Sequence, residues 1–284
     1  MEIVFVLLYA LLNGFFDIFK KSSLKRSSPS TILVMFTTVA FLLSLIWIPF
    51  DVSISIEYIL IFALKGFIIA FNWYITLKIL RTADISTVTI TQILSTVLTF
   101  IFGITMFNET ASVLQIIGSI IIVGSVAAIN LINRNSKGSV TKVQLVLLLV
   151  CALISTMSSV IDKYTSISLT PQQMQFWFLL FVMVFSWLFF SIDCIKQKQF
   201  LIKKEDSKNY WIYLVGLFIF LADFMLFSAH TVANSQLITI TVLSKLKIIV
   251  TVAAGIFIFK EKNVWKKLLL SVIVVIGAIM IAIA

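Results

Sequence analysis

The chain has 284 residues, of which 61% are hydrophobic and 12% are charged, with a mean hydropathy of +1.12. Soluble globular domains carry about 45–50% apolar and about 25% charged residues, so this composition excludes an ordinary soluble domain and predicts a polytopic membrane protein. The formal net charge of +10 does not indicate nucleic-acid binding, because the basic residues form short clusters between apolar segments.

Ten apolar windows of roughly membrane length follow one another along the chain. In order, as spans one to ten, they cover residues 3–19, 30–50, 57–77, 85–106, 111–132, 143–162, 172–192, 210–230, 237–259 and 265–284. Pro29 and Pro171 stand where spans two and seven are expected to begin, a position that tolerates proline. The connections are short apart from residues 193–208, so the sequence predicts an all-α membrane protein with no separate soluble domain.

The basic residues indicate the orientation of the chain in the membrane. Eighteen of the 22 follow the odd-numbered spans: Lys20, Lys21, Lys25, Arg26, Lys78, Arg81, Arg134, Lys137, Lys142, Lys196, Lys198, Lys203, Lys204, Lys208, Lys260, Lys262, Lys266 and Lys267. The opposite loops hold only Lys163. Cytoplasmic loops are enriched in Lys and Arg, so we expect both termini outside the cell.

The chain repeats itself at a shift of 152 residues. At this shift the pattern G-I-x-x-F-x-E occurs twice, ending at Glu109 and at Glu261. We divide the chain into residues 1–138 and 139–284, each with five spans. Because five is an odd number, the second half enters the membrane in the opposite direction, which predicts ten transmembrane helices in two inverted five-helix repeats. Each glutamate is expected to begin the helix that follows it, where a carboxylate accepts bonds from free backbone N–H groups.

Spans four and nine carry polar residues at matched positions of the repeat. They are Thr89, Gln92, Ser95 and Thr99 in span four, and Thr241, Ser244, Lys247 and Thr251 in span nine. On a continuous helix these spacings place each set on one face. A charge near the middle of a span is costly and by default functional, so Lys247 is the leading site candidate. Lys245 would point about 160° away from Lys247 and is ranked below it, as a residue that snorkels or pairs with a carboxylate.

Four other spans also place polar residues on one helical face. These are Tyr9, Asn13 and Asp17 in span one, Lys65, Asn72 and Thr76 in span three, Ser155, Ser158, Ser159 and Asp162 in span six, and Asp223 and His230 in span eight. Asp17 and Asp162 lie close to span ends, so an interfacial role has at least as much weight as a site role for them. Intramembrane ionisable residues more often mark a pathway than a structural pair, which favours Lys247 and Asp223 as site residues.

Two inverted halves of five spans, each with an F-x-E turn before a glycine-containing last helix, resemble the drug/metabolite transporter superfamily, EamA type. The turns are Phe107-Asn108-Glu109 and Phe259-Lys260-Glu261, and the glycines are Gly118, Gly124 and Gly277. The resemblance covers essentially the whole chain. It implies a central cavity lined mainly by spans one, three, four, six, eight and nine, alternating access, and no nucleotide hydrolysis. Many members of the superfamily have cytoplasmic termini, whereas the loop charges here predict external ones.

We predict a secondary active or facilitative transporter of the cytoplasmic membrane for a small polar organic metabolite. The metabolite is expected to carry an anionic group, because Lys65 and Lys247 place positive charge near the midplane. Asp223 is expected to pair with a lysine in the empty state or, like His230, to act as a coupling site. The candidate solute-binding residues are Asn13, Lys65, Asn72, Trp73, Gln92, Ser95, Asp223, Ser244, Lys247 and Thr251.

Three other functions are weighed against this prediction. A flippase for a lipid-linked or nucleotide-linked sugar would use the same basic residues for an anionic headgroup. An intramembrane enzyme is disfavoured, because the chain lacks the HExxH, GxSxG and Walker lysine motifs. An accessory subunit would pair Lys245 and Lys247 with carboxylates of another chain.

The sequence also bounds the cofactors and partners. Cys151, Cys194 and a single histidine offer no disulfide framework and no metal-ligand spacing, so we expect no metal, no cofactor and no catalytic residues. The expected partners are the solute and the lipid bilayer, with no nucleic acid. Small residues in spans five and ten are candidates for a homodimer contact.

Overall fold

The computed structural model describes residues 1–92, 94–107, 112–133, 140–233, 235–261 and 264–282. Within these ranges every regular element is a helix and there is no β-strand. The F-x-E turn of the first half is therefore only partly covered, because Asn108 and Glu109 lie outside the described residues.

The first half of the chain contains six described α-helices. They are α1 (Glu2–Ser23), α2 (Pro29–Ser44), α3 (Ile56–Leu80), α4 (Ile85–Gln92), α5 (Leu94–Phe107) and α6 (Val113–Asn133). A 3₁₀ segment, Leu45–Phe50, extends α2. The second half contains six more: α7 (Lys142–Thr165), α8 (Pro171–Gln197), α9 (Tyr210–His230), α10 (Leu237–Ser244), α11 (Lys247–Phe257) and α12 (Val264–Ala282).

Seven segments of the described chain are long and apolar enough to cross a membrane. They are Glu2–Ser23, Pro29–Phe50, Ile56–Leu80, Ile85–Met106, Lys142–Thr165, Pro171–Gln197 and Tyr210–His230. The predicted all-helical, multi-pass membrane architecture is therefore confirmed. The windows 111–132, 237–259 and 265–284 hold α6, α10 with α11, and α12, and the total of ten spans stays a prediction.

Local sequence signals explain where several helices begin. Ser28 caps α2 by accepting a hydrogen bond from the Thr31 backbone N–H, and Pro29 occupies the first helical position. Thr170 and Gln173 form a reciprocal capping box before Pro171 at the start of α8. These caps satisfy N–H groups that have no partner inside the helix, and they confirm the prolines as start signals.

The packing of the helices is symmetric when the two halves are exchanged. The exchange replaces α1, α2, α3 and α6 by α7, α8, α9 and α12. The α1–α9 contact then corresponds to the α7–α3 contact, and the α3–α8 contact corresponds to the α9–α2 contact. The α2–α8 and α6–α12 contacts each join two equivalent helices, so the exchange leaves them unchanged. A pseudo-two-fold relation between two repeats produces this pattern, so the structure fits the predicted two-repeat layout.

Five hydrophobic clusters of the described residues hold the helices together, and two of them show how the helices are grouped. The larger core joins α1, α2, α3, α8 and α9 around side chains such as Phe36 and Phe62, and the smaller joins α6, α10, α11 and α12. The small core includes a close approach of α6 and α12, since a Cβ on Gly277 would lie 2.9 Å from the Gly118 carbonyl oxygen. These two glycines therefore serve packing within the chain, while homodimerisation stays an untested prediction.

Span nine is not one continuous helix, contrary to the sequence-based expectation. It is interrupted at Lys245 and Leu246, between α10 and α11. Bonds across the interruption join residues three apart, including Leu246 N to Leu243 O at 3.1 Å and Ile248 N to Lys245 O at 2.9 Å. This tighter winding changes the direction of the side chains, so the rule of about 100° per residue does not hold between Lys245 and Lys247.

The second glutamate of the repeat pattern, Glu261, has a role beyond the one expected. Its carboxylate accepts hydrogen bonds from the Ile85 backbone N–H at 2.8 Å, the Ser86 hydroxyl, and the Lys267 ammonium at 2.9 Å. It therefore caps α4, in the other half of the chain. The sequence showed the carboxylate but not which helix N-terminus the fold brings to it.

Candidate functional site

A polar cavity of about 150 Å³ lies between the two halves of the chain. One water molecule needs about 10–15 Å³ of such space, so the cavity has room for a small solute. Seven of the spans contribute to its wall, and all but one of them are those implied by the resemblance. The additional contribution is Phe178 of α8.

Ten of the eleven predicted solute-binding and coupling residues line this cavity. They are Asn13, Lys65, Asn72, Trp73, Gln92, Ser95, Asp223, His230, Ser244 and Lys247. The eleventh, Thr251, does not reach it, because its hydroxyl donates to the Lys247 and Ile248 carbonyl oxygens of its own helix. Thr251 lies one turn beyond Lys247 on α11 and is completely buried.

The Asp17 carboxylate holds two ammonium groups. One oxygen of Asp17 lies 2.8 Å from the Lys247 ammonium and the other lies 2.7 Å from the Lys20 ammonium. Lys247 also donates to the Asn13 side-chain oxygen at 3.3 Å. Asp17 is therefore a wall residue of the cavity, and it joins α1 to α11.

A second ion pair joins α3 to α7. Lys65 is almost completely buried and donates to the Asp162 carboxylate. Its ammonium also lies 4.2 Å from the centre of the Phe178 ring and 4.6 Å from that of Phe227, close enough for cation–π attraction. These contacts satisfy the charge of Lys65 within the protein and leave it less available to a solute than predicted.

Among the described residues Asp223 forms no ion pair with a lysine, contrary to one of the two expectations for it. Lys65 and Lys247 are paired with Asp162 and Asp17, which α7 and α1 bring within ion-pair distance. Within the described part of the chain, one buried carboxylate oxygen of Asp223 has no hydrogen-bond partner, and neither does the His230 Nδ1 atom. Both residues line the cavity.

Lys245 lines the cavity as well, which the sequence did not predict. The interruption of span nine turns its side chain to the same cavity as Lys247. Among the described residues no carboxylate lies within ion-pair distance of Lys245, and its ammonium donates no hydrogen bond to any of them. In this part of the chain, no group neutralises the charge of Lys245 at close range.

Neutral residues connect the helices around the cavity. Asn72 donates to the Cys151 carbonyl oxygen at 2.9 Å and to the Ser155 hydroxyl at 3.1 Å, which ties α3 to α7. The Gln92 amide donates to the Thr76 hydroxyl at 3.2 Å and ties α4 to α3. These bonds fix the positions of the polar groups in the wall. In the described ranges, no cluster of three or more His, Cys, Asp and Glu side chains could hold a metal ion.

Three residues outside the predicted site set also line the cavity: Asp17, Asp162 and Lys245. Sequence reasoning gave an interfacial role at least as much weight as a site role for the two acids, and it placed Lys245 on the opposite face of a continuous helix. A usable signal existed for the two acids, since Asp17 continues the series Tyr9 and Asn13 at steps of four. No signal of spacing predicted the interruption at Lys245.

Comparison with known proteins gives a family and a fold. The sequence model of the EamA-like transporter family matches residues 1–131 and 142–283. No curated protein matches the chain significantly. A solved structure, described only as "Crystal structure of protein", is similar over 95% of both chains with a TM-score of 0.67 and 13% sequence identity. At that identity the likeness shows the fold alone.

Proposed function

The chain belongs to the EamA-like transporter family, and on this premise we propose that it is a secondary transporter for a small polar organic solute that bears an anionic group. Family membership supports the coarser function, a membrane transporter of small molecules. The anionic group, the mechanism and the orientation in the cytoplasmic membrane are parts of the proposal.

The observation that carries the anionic group is the environment of Lys245. Its ammonium faces a polar cavity without a carboxylate at ion-pair distance in the described chain, beside the partly exposed Lys247. An unneutralised charge inside a membrane protein is costly, and a carboxylate or phosphate of the solute would remove that cost. The proposed anion site is therefore centred on Lys245, with Lys247 beside it.

The arrangement of the two halves supports alternating access as the proposed mechanism. The exchange symmetry of the helix contacts supports ten spans in two inverted repeats, residues 1–138 and 139–284, with the cavity between them. An arriving anion competes with Asp17 for Lys247 and loosens a bond between α1 and α11. Such a contact, made in one conformation and not in the other, is what a ligand needs to shift a conformational equilibrium. Asp223 and His230 are the proposed coupling residues.

The first test is binding by the purified protein in nanodiscs. Its melting temperature is measured with anionic, zwitterionic and cationic metabolites and with polyprenyl phosphate. A ligand present at about 100 times its dissociation constant stabilises the folded form by about 2.7 kcal/mol. We expect stabilisation by a compound with an anionic group, lost in Lys245→Gln and weakened in Lys247→Gln. The control is Thr105→Val, which changes an exposed residue outside the cavity wall.

The second test is transport of the stabilising compound into proteoliposomes. Uptake that requires an opposing gradient or a preloaded substrate would support a secondary transporter. Stabilisation by polyprenyl phosphate alone would favour a flippase instead. Stabilisation by cations alone, or an unchanged response in Lys245→Gln and Lys247→Gln together, would contradict the anion site.

A further inference from the structure

The lysine and aspartate side chains that line the cavity, beside Tyr9 and His230, form two clusters. The first cluster is Asp17, Lys20, Lys245 and Lys247, and the second is Lys65, Asp162 and Asp223. In the first, Asp17 contacts Lys20 and Lys247 directly, and Lys245 is two residues from Lys247 in the chain. In the second, Lys65 pairs with Asp162, and Asp223 lies one helical turn before Phe227, whose ring the Lys65 ammonium contacts.

The two clusters carry opposite surplus charge. The first has three lysines and one carboxylate, whereas the second has two carboxylates and one lysine. Within each cluster the ion pairs leave a group without a close partner in the described chain: Lys245 in the first and the buried Oδ2 atom of Asp223 in the second. A cavity with an unpaired cation in one cluster and an unpaired anion in the other is matched by a solute that carries both signs.

Tyr9 and Asn13 are uncharged polar residues of the cavity wall on α1, at steps of four from each other and from Asp17. The Asn13 amide donates to the Tyr9 hydroxyl at 2.5 Å, and the Asn13 side-chain oxygen accepts a hydrogen bond from Lys247 at 3.3 Å. The α1 wall of the cavity therefore presents one carboxylate and two uncharged polar groups.

Resting on the proposed function, we propose that the transported solute is dipolar, with a carboxylate or phosphate bound at Lys245 and Lys247 and a cationic group bound at Asp223. The anionic group of the solute supplies the counter-charge for Lys245, and its cationic group supplies the counter-charge for Asp223. A solute with one charge would satisfy one cluster and leave the other unpaired.

The experiment compares matched compounds that differ in one charged group. The first set is 4-aminobutanoate, 4-hydroxybutanoate, which lacks the ammonium, and 4-amino-1-butanol, which lacks the carboxylate. The second is 2-aminoethyl phosphate with 2-hydroxyethyl phosphate and ethanolamine. Binding to the full-length protein in nanodiscs is measured by calorimetry and by the shift in melting temperature. We expect a dipolar compound to bind about tenfold or more tightly than either partner that has lost a charge.

Three variants assign the two ends. Asp223→Asn is expected to bind the dipolar compound and the hydroxy acid equally, and Lys245→Gln to bind the dipolar compound and the amine equally. Thr105→Val, at an exposed position outside the cavity, should keep the wild-type order. The comparison within wild type does not depend on how well either cavity variant folds.

The results separate this inference from the proposed function. If the dipolar compound binds no better than its singly charged partners in wild type, or if Asp223→Asn keeps the wild-type preference, the dipolar inference is overturned. If a singly charged anion is transported at the same rate by wild type and Asp223→Asn, the proposal of an anion transporter is supported and the dipolar inference is not. If no compound of any charge class binds or is transported, both fail.

Discussion

At the scale of single residues, the partner of each cavity lysine decides its role. Lys65 is enclosed by a carboxylate and two aromatic rings, which satisfy its charge within the fold. Lys245 faces the cavity with no such group among the described residues. Lys65 is therefore expected to contribute mainly to stability, and Lys245 mainly to solute binding.

Lys65→Met tests the structural role of the buried pair. The substitution leaves the Asp162 carboxylate buried without a counter-charge, which costs about 3–5 kcal/mol. The double variant Lys65→Met/Asp162→Leu should recover most of that loss, since it leaves no unpaired charge. Unfolding of both variants in the same detergent, followed by heat or denaturant, measures the difference.

Lys78→Met provides the matched control for this pair. Lys78 lies 3.7 Å from Asp193 and its side chain is 46% exposed, so the contact is screened by solvent. Its loss should cost less than about 1 kcal/mol. A Lys65→Met variant as stable as Lys78→Met would refute a structural role for the Lys65 pair.

At the scale of helices, Glu261 joins three elements. It follows α11, caps the start of α4 and contacts Lys267 of α12. Lys267 also donates to Asp84, the residue before α4, at 2.6 Å. Burial raises the pKa of the Asp84 carboxyl above its ordinary value, although Lys267 acts in the opposite direction. The F-x-E pattern therefore links the two halves of the chain at one end of the helices.

Gly255→Ala tests this link. A Cβ at position 255 would lie 2.9 Å from the Glu261 Oε2 atom and 3.0 Å from its Cδ atom, so the carboxylate would have to leave the α4 N-terminus. Loss of a helix cap costs about 1–2 kcal/mol, and we expect a lower melting temperature.

Gly124→Ala is the control for Gly255→Ala, because a Cβ at Gly124 would meet no atom within 4 Å. Alanine in place of glycine inside a helix is worth about 0.5–1 kcal/mol, so this variant should be as stable as wild type or more stable. Equal gains in stability at positions 124 and 255 would show that the space beside Glu261 is not needed.

At the scale of the whole molecule, the helix contacts and the positions of the basic residues both indicate how the spans are oriented. The helix contacts are symmetric under exchange of the halves. The basic residues concentrate in the connections that follow odd-numbered spans, including the exposed segment that contains Lys203 and Lys204. Taken together they predict an inverted pair of repeats whose lysine-rich side faces the cytoplasm.

Cysteine labelling of intact cells tests this orientation. In a variant in which Cys151 is replaced by alanine and Cys194 by serine, Ser55→Cys and Lys204→Cys place single thiols at exposed positions at opposite ends of the helices. A membrane-impermeant maleimide should label position 55 directly and position 204 only after permeabilisation. The reverse result would show that the termini are cytoplasmic.

The sequence by itself determined the class of the protein, its helical spans, its repeat and most of the polar residues of the cavity. These properties depend on short-range features, since apolar length, helical spacing and an internal pattern such as G-I-x-x-F-x-E are visible along the chain. Ten of eleven predicted site residues line the cavity for this reason. Whether they bind a solute stays a prediction.

Only the tertiary structure decided which charges are paired. Asp17 forms an ion pair with Lys247, and Asp162 forms one with Lys65, whereas Lys245 and Asp223 line the cavity without an ion-pair partner among the described residues. Such pairing depends on distances between residues that are far apart in the chain, and one tight turn at Lys245 and Leu246 is enough to change a side chain's direction. The same reason explains Glu261, whose carboxylate was evident in the sequence while its partner helix lies 176 residues away.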